Sequence, residues 1–459
     1  MMDYELHLAM TTELRDWLDE NVSEENGERG CAVLCRLSSG HRRRTLICWR
    51  AVEPEPGDVD WHQGSGGLGL YFDTEYLARV QNEAIDGRSG VLLVHNHPLD
   101  PTPEWSRVDE ESEKALLRVL SRSVPGPVGS IVLGIHGSIR ARELERTDSG
   151  ILVSRSVSCE RVVGPGLTMR RTVDAALNEP PIVVADRSIR LWGKEGQRIL
   201  QNLRVGIAGA GGVGSYVAEG LARLGVGEIQ QVDPDTLEEV NLNRNAGATR
   251  ADVGKTKVAV LGPWLSSIAT ADPFHYEGHA SRVQDSSDVF LDCDLIVCAV
   301  DGYDARDFLN ELSYRHFVPV VDCGTQLDPD PTRRNLKHGV LRVQAVGPGN
   351  PCLWCTGFLT RERVTQDRLP SEIKRLGRYG VDESAPSVFF TNAVTTGLVG
   401  MVLLEVVLHL VGKVPGELRL NLLNWTLRPE ADVRQPGCEC ERAFGWGDCD
   451  IPVFRPGRT

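Results

Sequence analysis

The chain has 459 residues, of which 41% are hydrophobic and 25% are charged, a composition typical of soluble globular proteins. Its length predicts two or three domains. The formal net charge of −14 argues against nucleic acid as a partner, because phosphates require a basic surface. Asp3 and Glu5 near the first residue argue against a signal peptide, and we expect a cytoplasmic protein.

The N-terminal third alternates short apolar runs with amphipathic segments. Strands are predicted at 31–37, 45–52, 90–97 and 131–135, and helices at 75–85 and 109–121. Residues 140–185 lack strong periodicity and contain Pro180-Pro181. We therefore predict a first domain over 1–150 and a connector over 151–185.

The remaining residues, 186–459, are predicted to form a second α/β domain. From residue 202 strands alternate with helices, which indicates a parallel, doubly wound sheet. The apolar run 389–411 is long enough to span a membrane, but Glu405 and His409 interrupt it one helical turn apart. Charged groups are costly inside a bilayer, so we predict a core helix and no membrane partner.

The first chemical motif is His95-Asn96-His97-Pro98, at the end of an apolar run. Two histidines one residue apart on a strand point to the same side, which suits two imidazole ligands on one metal. Asp109 starts a charged helix and offers a third ligand, leaving the open position that a catalytic zinc requires. The alternative is a surface loop followed by an ordinary helix start.

The HxHP motif followed by Ser106-Arg-Val-Asp109 resembles the JAMM (JAB/MPN) metallopeptidases, and HNHP with the later PTP is similar to their RadC-like branch. The resemblance implies a JAB/MPN α/β domain in which His95, His97 and Asp109 bind zinc. It also implies that Glu28 is the general base and that Ser106 helps to hold the oxyanion. The gap from His97 to Ser106 is one residue longer than the family's usual spacing.

The second motif is a glycine-rich turn between a predicted strand and helix. Its glycines let backbone amides approach a phosphate, and they are Gly209, Gly211, Gly212 and Gly214. Asp233 follows at a distance that would also suit the ribose of NAD. Taken alone, this motif favours an NAD-dependent oxidoreductase.

Further motifs change that interpretation. Asp233-Pro-Asp235, Asn241-Leu-Asn-Arg244 and Lys257 follow in order, and Asp301 ends a strand-like run. With Arg187 before the sheet, the set resembles the ThiF/MoeB/HesA family of ubiquitin-activating-enzyme-like adenylyltransferases. The resemblance implies a Rossmann-like sheet that binds ATP and Mg²⁺.

The same resemblance implies residue roles. Asp233 and Asp235 would lie at the nucleotide, and Asn241, Arg244 and Lys257 would contact its phosphates. Asp301 would hold magnesium. Arg187 would reach into the site of a second subunit, which implies a homodimer.

Two cysteine pairs bracket the last section, in a chain with 12 cysteines and no sign of export. Cys352 and Cys355 form a CxxC pair, and Cys438 with Cys440 forms a tighter CxC pair. Four such thiolates are typical of a closed structural zinc site. Cys449 is a possible replacement for one ligand, and redox-active or merely buried cysteines are the alternative.

Activating enzymes that pass their cargo on as a thioester usually carry a cysteine between these pairs, and this chain has none there. The domain is therefore predicted to stop at the acyl-adenylate. Cys323 is the nearest alternative nucleophile, although a small residue at a strand end is the favoured interpretation because reactivity needs a lowered pKa. Ser384 and Ser387 lie near the place where the family's cysteine would fall.

Together the motifs predict an enzyme that trims or removes a ubiquitin-like protein and adenylates its C-terminal glycine. One pathway is conjugation with a separate conjugating enzyme, for example in bacterial defence. The other is sulfur-carrier processing for cofactor or natural-product biosynthesis, with a sulfur donor as partner. An NAD-dependent oxidoreductase and a non-enzymatic scaffold are the remaining alternatives.

Overall fold

The computed structural model describes residues 4–22, 29–64, 67–147, 152–171, 177–330, 332, 335–369, 386–430 and 433–451. Two large mixed sheets dominate this part of the chain, one for each half. The strands are β1 (Glu5–Thr11), β2 (Gly30–Ser39), β3 (Arg43–Val52), β4 (Val59–Gly64), β5 (Gly67–Phe72), β6 (Gly90–Asn96), β7 (Val128–Leu133), β8 (Ile139–Arg146), β9 (Leu152–Ser156), β10 (Cys159–Val163), β11 (Leu167–Arg171), β12 (Arg204–Ala208), β13 (Glu228–Val232), β14 (His275–His279), β15 (Leu295–Cys298), β16 (Val320–Asp330), β17 (Asn335–Val346), β18 (Glu417–Asn421) and β19 (Thr426–Glu430).

Helices flank both sheets. They are α1 (Thr12–Asn21), α2 (Thr74–Asp86), α3 (Arg107–Ser123), α4 (Ile182–Gln201), α5 (Gly212–Leu224), α6 (Lys257–Ile268), α7 (Ser287–Leu291), α8 (Tyr303–His316), α9 (Arg361–Arg368), α10 (Phe389–Leu408) and α11 (Glu439–Ala443).

The N-terminal sheet has nine strands in the order β11-β10-β1-β3-β2-β6-β7-β8-β9. The predicted strands at 31–37, 45–52, 90–97 and 131–135 are its central members β2, β3, β6 and β7, and the predicted helices are α2 and α3. The central strands are almost wholly buried, which explains their continuous apolar runs.

The predicted connector over 151–185 is wrong for most of its length. Residues 152–171 form β9, β10 and β11, which belong to both edges of the N-terminal sheet, and α4 already begins at Ile182. β9 and β11 are five-residue strands with largely exposed faces. So short and polar a pattern carries little periodic signal, although β10 between β1 and β11 is completely buried.

The C-terminal sheet has eight strands in the order β14-β13-β12-β15-β16-β17-β18-β19. The first five in this order run parallel, and β17, β18 and β19 extend the sheet antiparallel. The parallel, doubly wound part is the predicted one. Its strands β12, β13 and β15 end at one edge, which brings the residues that follow them together.

Helix α10 packs against α5, β16 and β17. It is the one helix in the described ranges that is long and apolar enough to cross a membrane by length and composition, and half of its apolar window is buried. The remaining residues are partly buried or exposed, and Phe390 and Met401 are among the exposed ones. The helix therefore has one face in the core and one apolar face towards solvent.

The two sheets share a core. Ala9, Ile47 and Val163 of the N-terminal sheet belong to the same apolar cluster as Leu203, just before β12, and Val406 of α10. Arg43 at the start of β3 forms an ion pair of 2.8 Å with Asp294, just before β15, and both side chains are fully buried. The N-terminal domain is thus docked below the edge at which the parallel strands of the second sheet begin.

Candidate functional site

A cavity of about 1290 Å³ opens at the carboxyl edge of the parallel strands β12, β13 and β15. Nine of the predicted nucleotide-binding residues line it. They are Gly209, Gly211, Gly212, Asp233, Asp235, Asn241, Arg244, Lys257 and Asp301. The fold therefore gathers residues that are nearly a hundred positions apart in sequence.

Glycine is required at two points of the turn between β12 and α5, Gly209 and Gly214, and Gly212 lies close to a side chain of α10. Gly209 has φ of +101°, a left-handed conformation that favours glycine. A Cβ on Gly214 would lie 2.1 Å from the carbonyl oxygen of Gly209, and one on Gly212 would lie 2.2 Å from Nδ2 of Asn392. A Cβ on Gly211, the N-cap of α5, would meet nothing within 4 Å, so open space lies beside this end of the helix. Backbone amides at a helix N-terminus suit a phosphate ligand.

Asp233 orders this turn from the end of β13. Its Oδ2 accepts a hydrogen bond from the Ala210 amide at 2.6 Å, and its Oδ1 accepts one from the Asp235 amide at 2.8 Å. Burial raises the pKa of its carboxyl. Asp235 accepts a hydrogen bond from Nζ of Lys257 at 2.7 Å. A bound nucleotide would take over this ammonium group at little cost, because Asp235 is largely exposed.

The segment after β13 positions two of the predicted phosphate contacts, Arg244 and Asn241. Arg244 donates to the Val240 carbonyl at 2.7 Å, and Oδ1 of Asn241 accepts from the Glu238 amide at 3.0 Å. Asn245 was not predicted, yet its Nδ2 donates to the Ala210 carbonyl at 2.9 Å and supports the glycine turn. Its position directly after the motif was the available signal. Asn392, from α10, gave no local signal.

Asp301 and Arg187 differ in position. Asp301 follows β15, is exposed and lines the cavity. Arg187 lies exposed on α4, outside the described lining of this chain's own cavity. The structure therefore brings Asp301 to the site and leaves Arg187 on the outer surface.

The sulfur atoms of four cysteines lie close together. Sγ of Cys352 lies 3.4 Å from Sγ of Cys438, and Sγ of Cys355 lies 3.9 Å from Sγ of Cys440. A tetrahedral site with Zn–S bonds of about 2.3 Å has sulfur–sulfur distances of about 3.8 Å, so the four thiols fit one zinc ion. Cys449 lies elsewhere, with its thiol 3.5 Å from the Arg88 carbonyl.

The candidate nucleophiles are not equivalent. Cys323 lines the cavity but is buried, and burial raises its pKa to about 12. Its thiol donates to the Cys298 carbonyl at 3.3 Å. This environment favours the structural interpretation of Cys323. Ser387 lines the cavity and hydrogen-bonds with Asn392, whereas Ser384 lies outside the described residues.

A second set of ligands meets where β6 ends and α3 begins. Oδ2 of Asp109 lies 3.6 Å from Nε2 of His95 and 3.4 Å from Nε2 of His97. Ligands bound to zinc at about 2.1 Å in a tetrahedron lie about 3.4 Å apart, so the three side chains fit the ion. Nε2 of His95 is buried and, within the described part of the chain, without a hydrogen-bond partner. A metal would satisfy it.

Ser106 is the N-cap of α3. Its hydroxyl accepts a hydrogen bond from the Asp109 amide at 3.2 Å, and the Asp109 carboxylate accepts one from the Ser106 amide at 2.7 Å. This capping box aims Asp109 at the two histidines. The structure thus brings Ser106 to the site. Glu28 lies outside the described residues, and its role stays a prediction.

Glu113 is a residue of this site that the motif did not predict. Its Oε1 lies 3.3 Å from Nδ1 of His95. Although burial opposes protonation, the carboxylates of Asp109 and Glu113 raise the pKa of His95 to about 9. The available signal was the position of Glu113 one helical turn after Asp109.

The doubly wound sheet, its glycine turn and the acidic and basic residues around the cavity define a nucleotide-binding α/β domain. The chain belongs to the ThiF family, whose model matches residues 185–441, so that the C-terminal region is a ThiF-family adenylyltransferase domain. The match begins within α4 and does not extend over the N-terminal sheet.

Curated relatives agree with that assignment. The chain is 34% identical over 147 residues to the tRNA threonylcarbamoyladenosine dehydratase of Bacillus subtilis, covering 31% of this chain and 56% of that protein. It is 34% identical over 133 residues to the NEDD8-activating enzyme E1 catalytic subunit of Dictyostelium discoideum, covering 28% and 29%. It is 32% identical over 132 residues to the SAMP-activating enzyme E1 of Haloferax volcanii, covering 28% and 48%.

The chain thus spans between about a third and a half of these relatives' lengths. Among solved structures, Escherichia coli MccB with ATP is 20% identical and covers 56% of this chain and 74% of its own, with a TM-score of 0.44.

Proposed function

We propose that the C-terminal domain uses ATP to adenylate the C-terminal carboxylate of a ubiquitin-like protein. The observation that carries the proposal is the cavity itself, in which a glycine turn, Lys257, Arg244 and Asp301 face one space. NEDD8-activating and SAMP-activating enzymes are among the relatives. Hydride transfer would have no use for this clustered cationic set.

In the proposed reaction a carboxylate oxygen attacks the α-phosphorus of ATP. The bond to the bridging oxygen of the β-phosphate breaks, and pyrophosphate leaves with the electron pair. The amides at the start of α5, with Arg244 and Lys257, would stabilise the negative charge that builds on the phosphates. Asp301 would hold Mg²⁺, which when bound neutralises phosphate charge.

The chain has no cysteine between Cys355 and Cys438, and Cys323 is a buried thiol. We therefore propose that the reaction stops at the acyl-adenylate, which a separate protein or a sulfur donor then attacks. Conjugation of the ubiquitin-like protein, in a bacterial defence pathway, is the leading use of this intermediate. Sulfur transfer for biosynthesis is the alternative.

The test is ATP–pyrophosphate exchange with a candidate ubiquitin-like protein that ends in glycine. We expect exchange that depends on that protein, and a loss of about 100-fold or more in Asp301→Ala, as for removal of one transition-state contact. Glu311→Ala, an exposed carboxylate of α8 outside the described cavity lining, is the matched control. Exchange supported by total tRNA but not by the small protein would contradict the proposal, as would binding of NAD in preference to ATP.

The N-terminal domain is proposed to be a zinc-dependent peptidase that releases or removes the same ubiquitin-like protein. His95, His97 and Asp109 form a three-ligand set for a catalytic metal. Zinc, when bound, supplies an acidified water and polarises a carbonyl. Glu28 is proposed to take the proton of the attacking water, and Ser106, at the N-terminus of α3, to donate to the developing oxyanion.

The peptidase is tested with a fusion in which the ubiquitin-like protein precedes a reporter after its C-terminal glycine. Protein loaded with zinc is expected to cut directly after that glycine, and His97→Ala is expected to be inactive. An intact fusion after prolonged incubation with zinc-loaded protein would contradict this half of the proposal.

A homodimer is proposed to form through α4 and α10. Val183 is 89% exposed and Phe390 is 74% exposed, and Val184, Leu191 and Met401 are also exposed. So many exposed apolar side chains on neighbouring helices favour a covered surface. Arg187 lies on the same helix as Val183 and would reach the cavity of the partner. We expect Val183→Asp to yield monomers in light scattering; a dimer of unchanged stability would contradict the interface.

A further inference from the structure

Two carboxylates of helix α3 hold opposite sides of the His95 ring. Asp109 lies beside Nε2, and Glu113, one turn later, lies 3.3 Å from Nδ1. Glu113 is only 7% exposed, and His95 is 4% exposed. Because Nε2 is the nitrogen that faces His97 and Asp109, Glu113 lies behind the ring and outside the ligand set.

Glu113 is itself fixed from behind by Arg142, a buried residue of β8. Nη2 of Arg142 donates to Oε2 of Glu113 at 2.8 Å, and its Nε donates to Oγ of Ser130 at 3.0 Å. The Trp105 ring lies 4.1 Å from the guanidinium carbon and donates to the same serine at 2.9 Å. Rotating Glu113 away would leave a buried arginine without this partner, which is costly.

We propose that Glu113, held by Arg142 and Trp105, is a positioning residue that sets His95 as a metal ligand. A carboxylate on Nδ1 accepts its N–H and leaves the lone pair of Nε2 free for the metal. This inference rests on the proposed hydrolytic metal site. It adds that the loop between His97 and Ser106, which contains Trp105, is anchored to the same network.

The network also accounts for how the site accommodates the loop between His97 and Ser106, which is one residue longer than the usual spacing. Trp105 is the residue before Ser106, so its stacking on Arg142 fixes the chain where the capping box of α3 begins. Arg142 thereby connects the strand and the helix that supply the metal ligands. It supports Glu113 behind His95, and it supports Trp105 beside the start of the helix that carries Asp109.

The inference is tested by zinc affinity, measured on the full chain by competition with a chromophoric chelator. We expect Glu113→Ala to bind zinc at this site about 10 to 100 times more weakly, as for other partners of histidine ligands. Glu113→Gln can still accept the Nδ1 hydrogen and is expected to restore most of the affinity. Glu111→Ala is the matched control on the same helix, because Glu111 is exposed and pairs with Arg107 on the helix surface.

The cysteine site also binds metal, so His95→Ala supplies the background. A Co²⁺-substituted sample gives a second readout, since a reoriented imidazole changes the visible absorption of the nitrogen and oxygen site. Because Glu113→Ala leaves Arg142 with Glu110 as its remaining carboxylate partner in the described part of the chain, the double variant Glu113→Met with Arg142→Met removes both charges of the Glu113–Arg142 pair. Replacing a buried ion pair by apolar residues is often neutral for stability. This variant should fold and still bind zinc weakly.

Equal zinc affinity and equal Co²⁺ spectra in wild type, Glu113→Ala and the double variant would overturn the inference. Equal zinc content in wild type and His95→Ala would overturn it together with the proposed metal site. Tight zinc binding that depends on Glu113, in a protein that cuts no fusion, would leave the positioning role standing and remove only the peptidase proposal.

Discussion

Asp109 combines two roles in one carboxylate. It closes the capping box of α3 with Ser106, and the same Oδ2 faces both His95 and His97. An asparagine could still accept the hydrogen bond from the Ser106 amide, so the helix start should persist. The charge that a zinc ligand provides would be lost.

We therefore expect Asp109→Asn to fold normally but to retain one zinc per chain instead of two. Elemental analysis of the purified variant measures this directly. His136→Asn, a surface histidine outside the ligand set, serves as the control. Two zinc ions in the asparagine variant would show that Asp109 is not a ligand.

Cys323 illustrates how burial decides reactivity. Since burial raises its pKa to about 12, the thiol stays protonated at pH 7. We expect Cys323→Ser to keep pyrophosphate exchange within about twofold, because the side chain only fills space beside Cys298. A thioester-linked small protein on non-reducing gels that disappears in this variant would refute the structural interpretation.

Elements differ in how far the sequence predicts them. The central strands and α2 and α3 were predictable because each is buried on a whole face. The turn before α5 was predictable as well, because its backbone conformation and close backbone contacts require glycine. β9 and β11 were missed because edge strands of five residues show no clear alternation. Glu113 was missed because its role depends on Arg142, which lies on a different element.

The interface between the N-terminal and C-terminal domains, or seam, should make the free energy of unfolding depend on pH. His316, at the end of α8, is buried with Nδ1 2.8 Å from Oγ of Ser38 in β2. Burial, together with Arg315, lowers its pKa to about 3. Below pH 6.5 the unfolded chain binds a proton that the folded protein refuses, so acidification favours unfolding by about 1.4 kcal/mol per pH unit.

We expect urea midpoints of the wild type to fall between pH 7 and pH 5, and to fall less in His316→Gln. His7, buried in the same seam with a pKa also lowered to about 3, has the same sign and remains in the variant. An equal fall in both proteins would show that His316 does not titrate on unfolding.

At the scale of the molecule, the seam separates the two sites. α8 runs from Tyr303 at the cavity to His316 at the seam, about 20 Å for its 14 residues. β6 runs from Gly90 to His95, about 17 Å, and Arg88 just before it contacts Asp450. Each site therefore lies at the far end of an element whose other end is at the seam.

The seam therefore lies between the metal site and the nucleotide cavity. We expect cleavage and adenylation to occur in separate encounters. Labelled precursor is supplied with excess unlabelled mature protein, and the adenylate should carry label only in proportion to the mixed pool. Enrichment well above that proportion would indicate direct transfer.

The ThiF domain is proposed to form an acyl-adenylate on a protein C-terminus. Intact-mass spectrometry of the small protein, after brief incubation with the full chain and MgATP, measures it most directly. We predict a product heavier by one AMP group, absent when the substrate's C-terminus is amidated and absent with Lys257→Ala. ATP turnover without an adenylated product, or an identical adduct on the amidated protein, would contradict the account.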